Sequence, residues 1–304
     1  MTRYLAFCKI IECGSFTRAA ERLGYTQAAV SQMIRSLENE MALTLLIRTR
    51  SGVRLTPEGE QLYPLIQKYV SVYRELNDRI GELHGLSSGE LRIGTFSSMS
   101  QRLLPGLLYD FSSRYPGIRF VLSPGDNTTL PERIRAGLID FGFVYPEAAT
   151  GLQSIPIARD NYLAVFPEGH PYAERSSVSL KEMATLPLIV VEEGGVNTVL
   201  RAFADASLTP FVQYRIHDDH TILSMVERGI GVSILPSMIL DRAAYRLKIV
   251  PIETPVQRTV SIGYLDKELL PIAAKRFIRF LVENVHRYLP EPYLYGPQSK
   301  SFDD

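Results

Sequence analysis

The stretch SFTRAAERLGYTQAAVSQMIRSLE, Ser15 to Glu38, limits the folds open to this chain more than any other part of it. Phe16, Ala19, Ala20 and Leu23 recur at helical spacing. Ser15 stands in the place of an N-cap, and Gly24 where a left-handed residue ends a helix. Thr26 can cap a second helix, whose apolar stripe is Ala29, Val30, Met33, Ile34 and Leu37. Only Gly24, Tyr25 and that cap separate the two, which is the outline of a helix-turn-helix. The other face of the second helix carries Gln27, Ala28, Ser31, Gln32 and Arg35. Short side chains allow close approach, and amides with a guanidinium match base-edge donors and acceptors. The expected contact is the major groove of double-stranded DNA.

Charge is distributed to suit that expectation. The whole chain is neutral, with 33 basic and 33 acidic residues. Through Thr56, however, eight basic residues face four acidic ones, leaving 25 basic against 29 acidic in the remainder. A basic head on an acidic body points to a polyanion partner for the head alone. Downstream, LTLLIRTRSGVRL alternates apolar residues around Ser51-Gly52, a hairpin signal, and Arg48, Arg50 and Arg54 decorate it. A basic hairpin beside a recognition helix is expected to act as a wing on phosphates.

FTRAAERLGYTQAAVSQMIRSLENE and RTRSGVRLTPEGE together resemble the DNA-binding domain of the LysR-type transcriptional regulators, almost without gaps. That resemblance implies DNA contacts from Thr26, Gln27, Ala28, Ser31, Gln32, Arg35, Arg50 and Arg54. Two positions depart from the family pattern. Ala42 stands where glycine is usual at the helix end, and Ala28 replaces a frequent proline in the first turn.

Thr56-Pro57-Glu58 is a strong helix start. From there Leu62, Leu65, Ile66, Tyr69, Val72, Tyr73, Leu76, Ile80 and Leu83 recur at spacings of three and four, with Pro64 expected to bend the helix early. A long apolar stripe needs a partner, either its own body or, most simply, a second copy of the chain, and the resemblance implies the second copy. Leu65, Tyr69, Val72 and Leu76 are the expected dimerisation residues of a homodimer or homotetramer. Gly85, Ser87, Ser88 and Gly89 then read as a flexible joint.

From Glu90 strands and helices alternate: LRIGTF, IRFVLS, DFGFVY, YLAVFP, LIVVEE, FVQYRI, VSILP, LKIVPI and VSIGYL, with helical patterns between most of them. This is the texture of parallel sheets flanked by helices. The resemblance implies a two-lobed effector-binding domain built like a periplasmic binding protein. The overall expectation is α/β with an all-α-type winged helix-turn-helix head and a long linker helix. The head spans 1–56, the linker and hinge 57–89, and the effector domain 90–304. Within the last, lobe I takes 90–161 and 265–290, and lobe II takes 162–264, with crossings near 161–164 and 263–266. The tail after Pro290 reads as frayed.

Ligands of open α/β sheets sit at strand carboxyl ends, beside helix N-termini. Three such places carry hydroxyls, amides or glycine: Ser97, Ser98 and Ser100; Asn127, Thr128 and Thr129; and Gly195 with Asn197. Together with His217 they form the expected site for a small polar effector bearing a carboxylate or other anion. In HDDHT, His217 and His220 have two carboxylates between them but no further histidine or cysteine nearby, and Asp219 reads as a helix cap, so no metal is expected. No cofactor motif or catalytic constellation is visible. The N-terminal apolar stretch is broken by Lys9 and Glu12, and no apolar run reaches bilayer length. Cys8 and Cys13 fit neither a redox nor a zinc motif. The expectation is a cytoplasmic regulator that binds DNA, an effector and itself, without membrane contact. A cytosolic enzyme or a solute-binding protein on the same two-lobed fold is the alternative, and both leave the basic head unexplained.

Overall fold

The computed structural model describes residues 2–49, 52–83, 89–241, 244–296 and 302. The chain forms two compact units, Met1–Gly85 with Arg135–Leu138, and Leu86–Ile134 with Ile139–Asp304. Arg50 and Ser51, and the expected joint at Gly85, Ser87 and Ser88, lie outside the described residues.

In the first unit, helices α1 (Thr2–Cys13), α2 (Phe16–Leu23) and α3 (Gln27–Met41) precede an antiparallel hairpin of β1 (Leu46–Thr49) and β2 (Gly52–Leu55). Helix α4 (Pro57–Leu83) follows. Ser15 Oγ accepts from Arg18 N–H, Thr26 Oγ1 accepts from Ala29 N–H, and Gly24 takes a left-handed φ of 71°. These caps satisfy backbone groups that the helix ends would otherwise leave bare. Phe7 and Ile10 of α1, Phe16 and Ala19 of α2, and Val30, Ile34 and Leu37 of α3 make the core. Ala29 and Met33 reach only its edge. Glu38 Oε1 accepts from the N–H groups of Leu45 and Leu46 at 2.8 and 3.2 Å, which fastens the hairpin's approach to the end of α3. Thr56 Oγ1 accepts from Gly59 N–H at 2.9 Å and so caps α4. A side chain at Gly59 would come within 2.3 Å of Leu45 O, so this crossing requires glycine.

Helix α4 runs unbroken for 27 residues, about 40 Å, with Pro64 inside it. Its apolar residues do not form one stripe. Ile66 and Val70 are buried in the core of their own unit, whereas Leu65, Tyr69, Val72, Leu76 and Ile80 are exposed.

The second unit contains β3 (Gly89–Thr95), α5 (Ser97–Arg102), α6 (Leu104–Arg114), β4 (Ile118–Pro124), α7 (Thr129–Arg135), β5 (Phe141–Val144) and β6 (Gln153–Pro167). Next come α8 (Leu180–Met183), β7 (Leu188–Val191), α9 (Thr198–Asp205), β8 (Val212–Ile216), α10 (Asp219–Glu227), β9 (Val232–Pro236), α11 (Ser237–Leu240), β10 (Leu247–Tyr264) and α12 (Ile272–Tyr288). The eight strands pair in the order β4-β3-β5-β10-β6-β9-β7-β8. The flanks are parallel, β4-β3-β5 in one lobe and β9-β7-β8 in the other. Between them β6 and β10 run antiparallel through both lobes. Phe111, Phe141 and Phe277 centre the first core, and Phe166, Met183 and Phe203 centre a second.

Two expectations change here. LKIVPI and VSIGYL are one strand, because an irregularity between Pro251 and Val256 carries β10 past Glu253-Thr254-Pro255 without ending it. Val250, Ile252 and Val256 pack in the core of Phe166, but Val260, Ile262 and Tyr264 pack in that of Phe277. The chain therefore crosses back between 256 and 260, ahead of the expected 263–266, and 260–264 join the first lobe. The start of the tail is also ordered rather than frayed. Residues 291–293 form a 3-10 turn, Leu294 bridges to Ala158, and buried Tyr293 donates its hydroxyl to Asp241 at 2.6 Å. Phe302 is buried against Tyr264.

Candidate nucleic-acid interface and ligand cleft

On α3 the polar face stands clear of the core. Thr26, Gln27, Ala28, Gln32 and Arg35 are exposed, and Ser31 is half-buried. Gln27 Nε2 donates to Ser31 Oγ at 2.8 Å, and Arg48 donates to the same oxygen at 3.0 Å. Arg48 also lies 4.0 Å over the Phe16 ring. These contacts fix Gln27 and the first wing arginine before any partner arrives. Arg54 is exposed on β2; Arg50 falls outside the described residues.

In the second unit the two lobes enclose a cavity of 510 Å³. Ser97, Ser98, Ser100, Asn127 and His217 line it; Thr128, Thr129, Gly195 and Asn197 do not. Those four hold the loops instead. Thr128 Oγ1 accepts from Gly195 N–H at 2.7 Å, linking the loop after β4 to the loop after β7. Asn127 supports the same junction, its N–H donating to Glu193 O and its Nδ2 to Val196 O. Gly194, at φ 80°, makes the approach possible, since a side chain there would meet Thr128 Oγ1 at 2.5 Å. Thr129 joins a local turn with Asp126. Asn197 is spent as the cap of α9: its Oδ1 accepts from Leu200 N–H and its Nδ2 donates to Val191 O.

The most connected group in the cleft is Arg258, which is not among the expected site residues. It donates to Asp160 Oδ2 at 2.7 Å, to Ser98 Oγ at 2.9 Å and to the Tyr145 hydroxyl at 2.6 Å. Tyr145 and Tyr162 in turn donate to Glu193 Oε1 at 3.2 and 3.3 Å. The chain Asp160–Arg258–Tyr145–Glu193 thus ties the crossing strands and the first lobe to the end of β7. Burial pushes the Glu193 carboxyl up despite the nearby guanidinium, and burial pushes Asp219 up against its hydrogen bond with Ser97. Asp218, not Asp219, caps α10 by accepting from Thr221 N–H at 2.7 Å. Its carboxyl is held low by the Thr221 hydroxyl bond. His217 Nδ1 meets Glu192 O at 3.2 Å. Among the described residues no three His, Cys, Asp or Glu side chains are placed to hold a metal ion.

A signal for Arg258 does exist in the sequence. Val256, Arg258, Val260 and Ile262 alternate as one inward-facing set, and a charge inside such a set must have a buried partner. Glu192-Glu193 also follow a strand directly, a place where a carboxylate can serve a ligand as well as a hydroxyl can.

The first 60 residues match the bacterial regulatory helix-turn-helix protein model of the lysR family. Residues 84–285 match the LysR substrate binding domain. The chain belongs to the LysR family. Like other members, it is a DNA-binding transcriptional regulator with an effector-binding domain, not an enzyme. It is 30% identical to the uncharacterized HTH-type transcriptional regulator YvbU of Bacillus subtilis over 287 residues, 93% of this chain and 98% of that protein. With the HTH-type transcriptional activator CmpR of Synechocystis it shares 28% over 92% of this chain and 93% of the relative. A full-length variant of OxyR from Pseudomonas aeruginosa has the same fold, with a TM-score of 0.73 at 22% identity, over 97% of this chain and 98% of that one. The effector binding domain of QuiR in complex with shikimate matches with a TM-score of 0.60 at 20% identity, over 66% of this chain and 99% of that one. Full-length CbnR complexed with its target DNA matches at 0.62 and 21%, over 93% and 98%.

Proposed function

We propose that this LysR regulator is a cytoplasmic homo-oligomer that reads an operator through the exposed face of α3, under control of a small polar ligand held between its lobes. The cavity of 510 Å³ carries this reading: it lies within the usual range for small-ligand sites and is lined by groups from both lobes. A ligand there can favour one lobe arrangement over another by its differential affinity for the two. Relatives solved with target DNA and with shikimate support the two kinds of partner. Gln27, Gln32 and Arg35 are the base readers in this reading, with Arg54 and Arg50 on phosphates. The anionic effector expected from hydroxyls finds its support reduced to the Ser97, Ser98 and Ser100 set and Asn127, since Thr128, Thr129 and Asn197 serve the fold.

A mobility-shift assay on DNA upstream of the regulator's own gene tests this. Gln32→Ala or Gln27→Ala is expected to weaken specific binding by ~1 to 3 kcal/mol and spare random DNA. Arg54→Ala should weaken both and flatten the salt dependence of log K. Equal losses on specific and random DNA for both glutamine variants would remove α3 as the reading helix.

A further inference from the structure

The charge of the cleft is one-sided. Asp126, Glu192, Glu193, Asp218 and Asp219 face it, with Arg258 as the one arginine or lysine among the described lining residues. Arg258 offers little to an incoming anion, because Asp160 neutralises it at 2.7 Å and both side chains are almost fully buried, at 3% and 0% exposure. Asp126 and Asp218 are engaged by backbone N–H groups of adjoining turns, and Glu192 lies 3.7 Å from Arg215. The cations that act on Glu193 and Asp219 are Arg258, already paired with Asp160, and for Asp219 also His220.

Glu193 carries the decisive detail. Its Oε1 takes both tyrosine hydroxyls, but Oε2 is sealed from solvent and has no hydrogen-bond partner. A buried carboxylate oxygen without a donor is costly, and such a group calls for an explanation. Asp219 lies close enough to act on Glu193 electrostatically, and its carboxyl meets Ser97.

We propose that the cleft recognises its effector through a positively charged, hydrogen-donating nitrogen, an ammonium, amidinium or guanidinium, bound at Glu193 with Asp219 beside it. This rests on the reading of the cavity as the effector site and assigns the ligand's chemical class. A cation in the cavity relieves the excess of carboxylates, places a compensating charge beside the carboxyl whose Oε2 has no donor, and leaves the Arg258–Asp160 pair intact. The raised protonation tendency of both carboxyls agrees with a site waiting for positive charge.

Thermal shift and calorimetry on the full chain test the assignment with matched probes: benzamidinium and phenethylammonium against benzoate, at equal ionic strength. The expected result is stabilisation by the two cations and none by benzoate. Glu193→Gln and Asp219→Asn should each reduce cation affinity about 10- to 100-fold, the loss that follows removal of a charge-assisted hydrogen bond. Should either variant fold poorly, the wild-type protein still decides the matter, since the two cations and benzoate are compared on it directly. Benzoate stabilising the protein while the cations do not would overturn the cationic class and leave the effector reading standing. No shift from any probe would also overturn it, and the operator assay with metabolite pools then decides the effector reading separately.

Discussion

At the scale of single residues, Ala42 and Glu193 both carry local cost. Ala42 ends α3 with φ 53°, a left-handed conformation that disfavours any Cβ, and its N–H still closes the helix onto Asn39 O and Glu38 O. Ala42→Gly removes the clash and keeps the hydrogen bonds. It should stabilise the first unit by about 1 kcal/mol, visible as a higher urea midpoint. Glu193 is different, because its cost depends on pH. Its folded carboxyl binds a proton more tightly than an unfolded glutamate, since burial outweighs Arg258 and the hydroxyls of Tyr145 and Tyr162, while Asp219 adds repulsion. The folded state therefore holds more protons than the unfolded one across that interval. Stability is lost as pH rises from the ordinary carboxylate range through the raised folded value. Glu193→Gln should remove this slope: its urea midpoint relative to wild type should be higher near neutrality than near pH ~4. A difference between the two proteins that stays flat with pH would show that Glu193 keeps an ordinary carboxyl.

At the scale of elements, α4 divides its apolar residues between a buried side and an exposed one. Ile66 and Val70 close the first unit, and Leu65, Tyr69, Val72, Leu76 and Ile80 remain in solvent, with Leu65 64% exposed. A row of apolar residues at that spacing is stable in water when a second helix covers it, and a copy of α4 is the proposed cover. Leu76→Asp or Val72→Asp would place an unpaired charge in that seam and should yield monomers in sedimentation at concentrations where wild type is larger. An unchanged oligomer for both variants would place the interface elsewhere. The long strands make a related point. Because β6 and β10 pass through both lobes, Asp160 and Arg258 sit at the crossing and hold the floor of the cleft by their buried pair.

At the scale of the whole molecule, the proposed regulation is a coupling free energy, so effector and operator must affect each other's binding equally. Thr128 is a place to tune it. Its hydroxyl accepts from Gly195 N–H and joins the loops of the two lobes without lining the cavity. Thr128→Val keeps the shape and leaves that N–H to water. Ligand affinity should fall by ~0.5 to 1.5 kcal/mol, the range of one net hydrogen bond, with a smaller ligand-induced change in operator affinity. Calorimetric titration of a cleft ligand, with and without operator DNA, measures both. Full wild-type coupling in the variant would separate the loop junction from the ligand response.

The sequence by itself determined whatever depends on near neighbours along the chain. The helix-turn-helix was legible from Ser15, Gly24 and Thr26, because caps and left-handed ends satisfy backbone groups within a few residues of themselves. The strand-helix alternation was legible for the same reason, since each element's period follows from its own geometry. The tertiary structure alone decided which polar groups meet. Asn197 and Thr128 had the side chains of ligand donors, and only packing showed that Leu200, Val191 and Gly195 already occupy them. Arg258 and Asp160 lie 98 positions apart, and Tyr145 and Glu193 lie 48 apart. No local pattern could report those partners, because the force that joins them acts through space after the sheet has formed. The character of the cleft followed from that: hydroxyls in sequence suggested a site for an anion, and the fold gathered carboxylates around it.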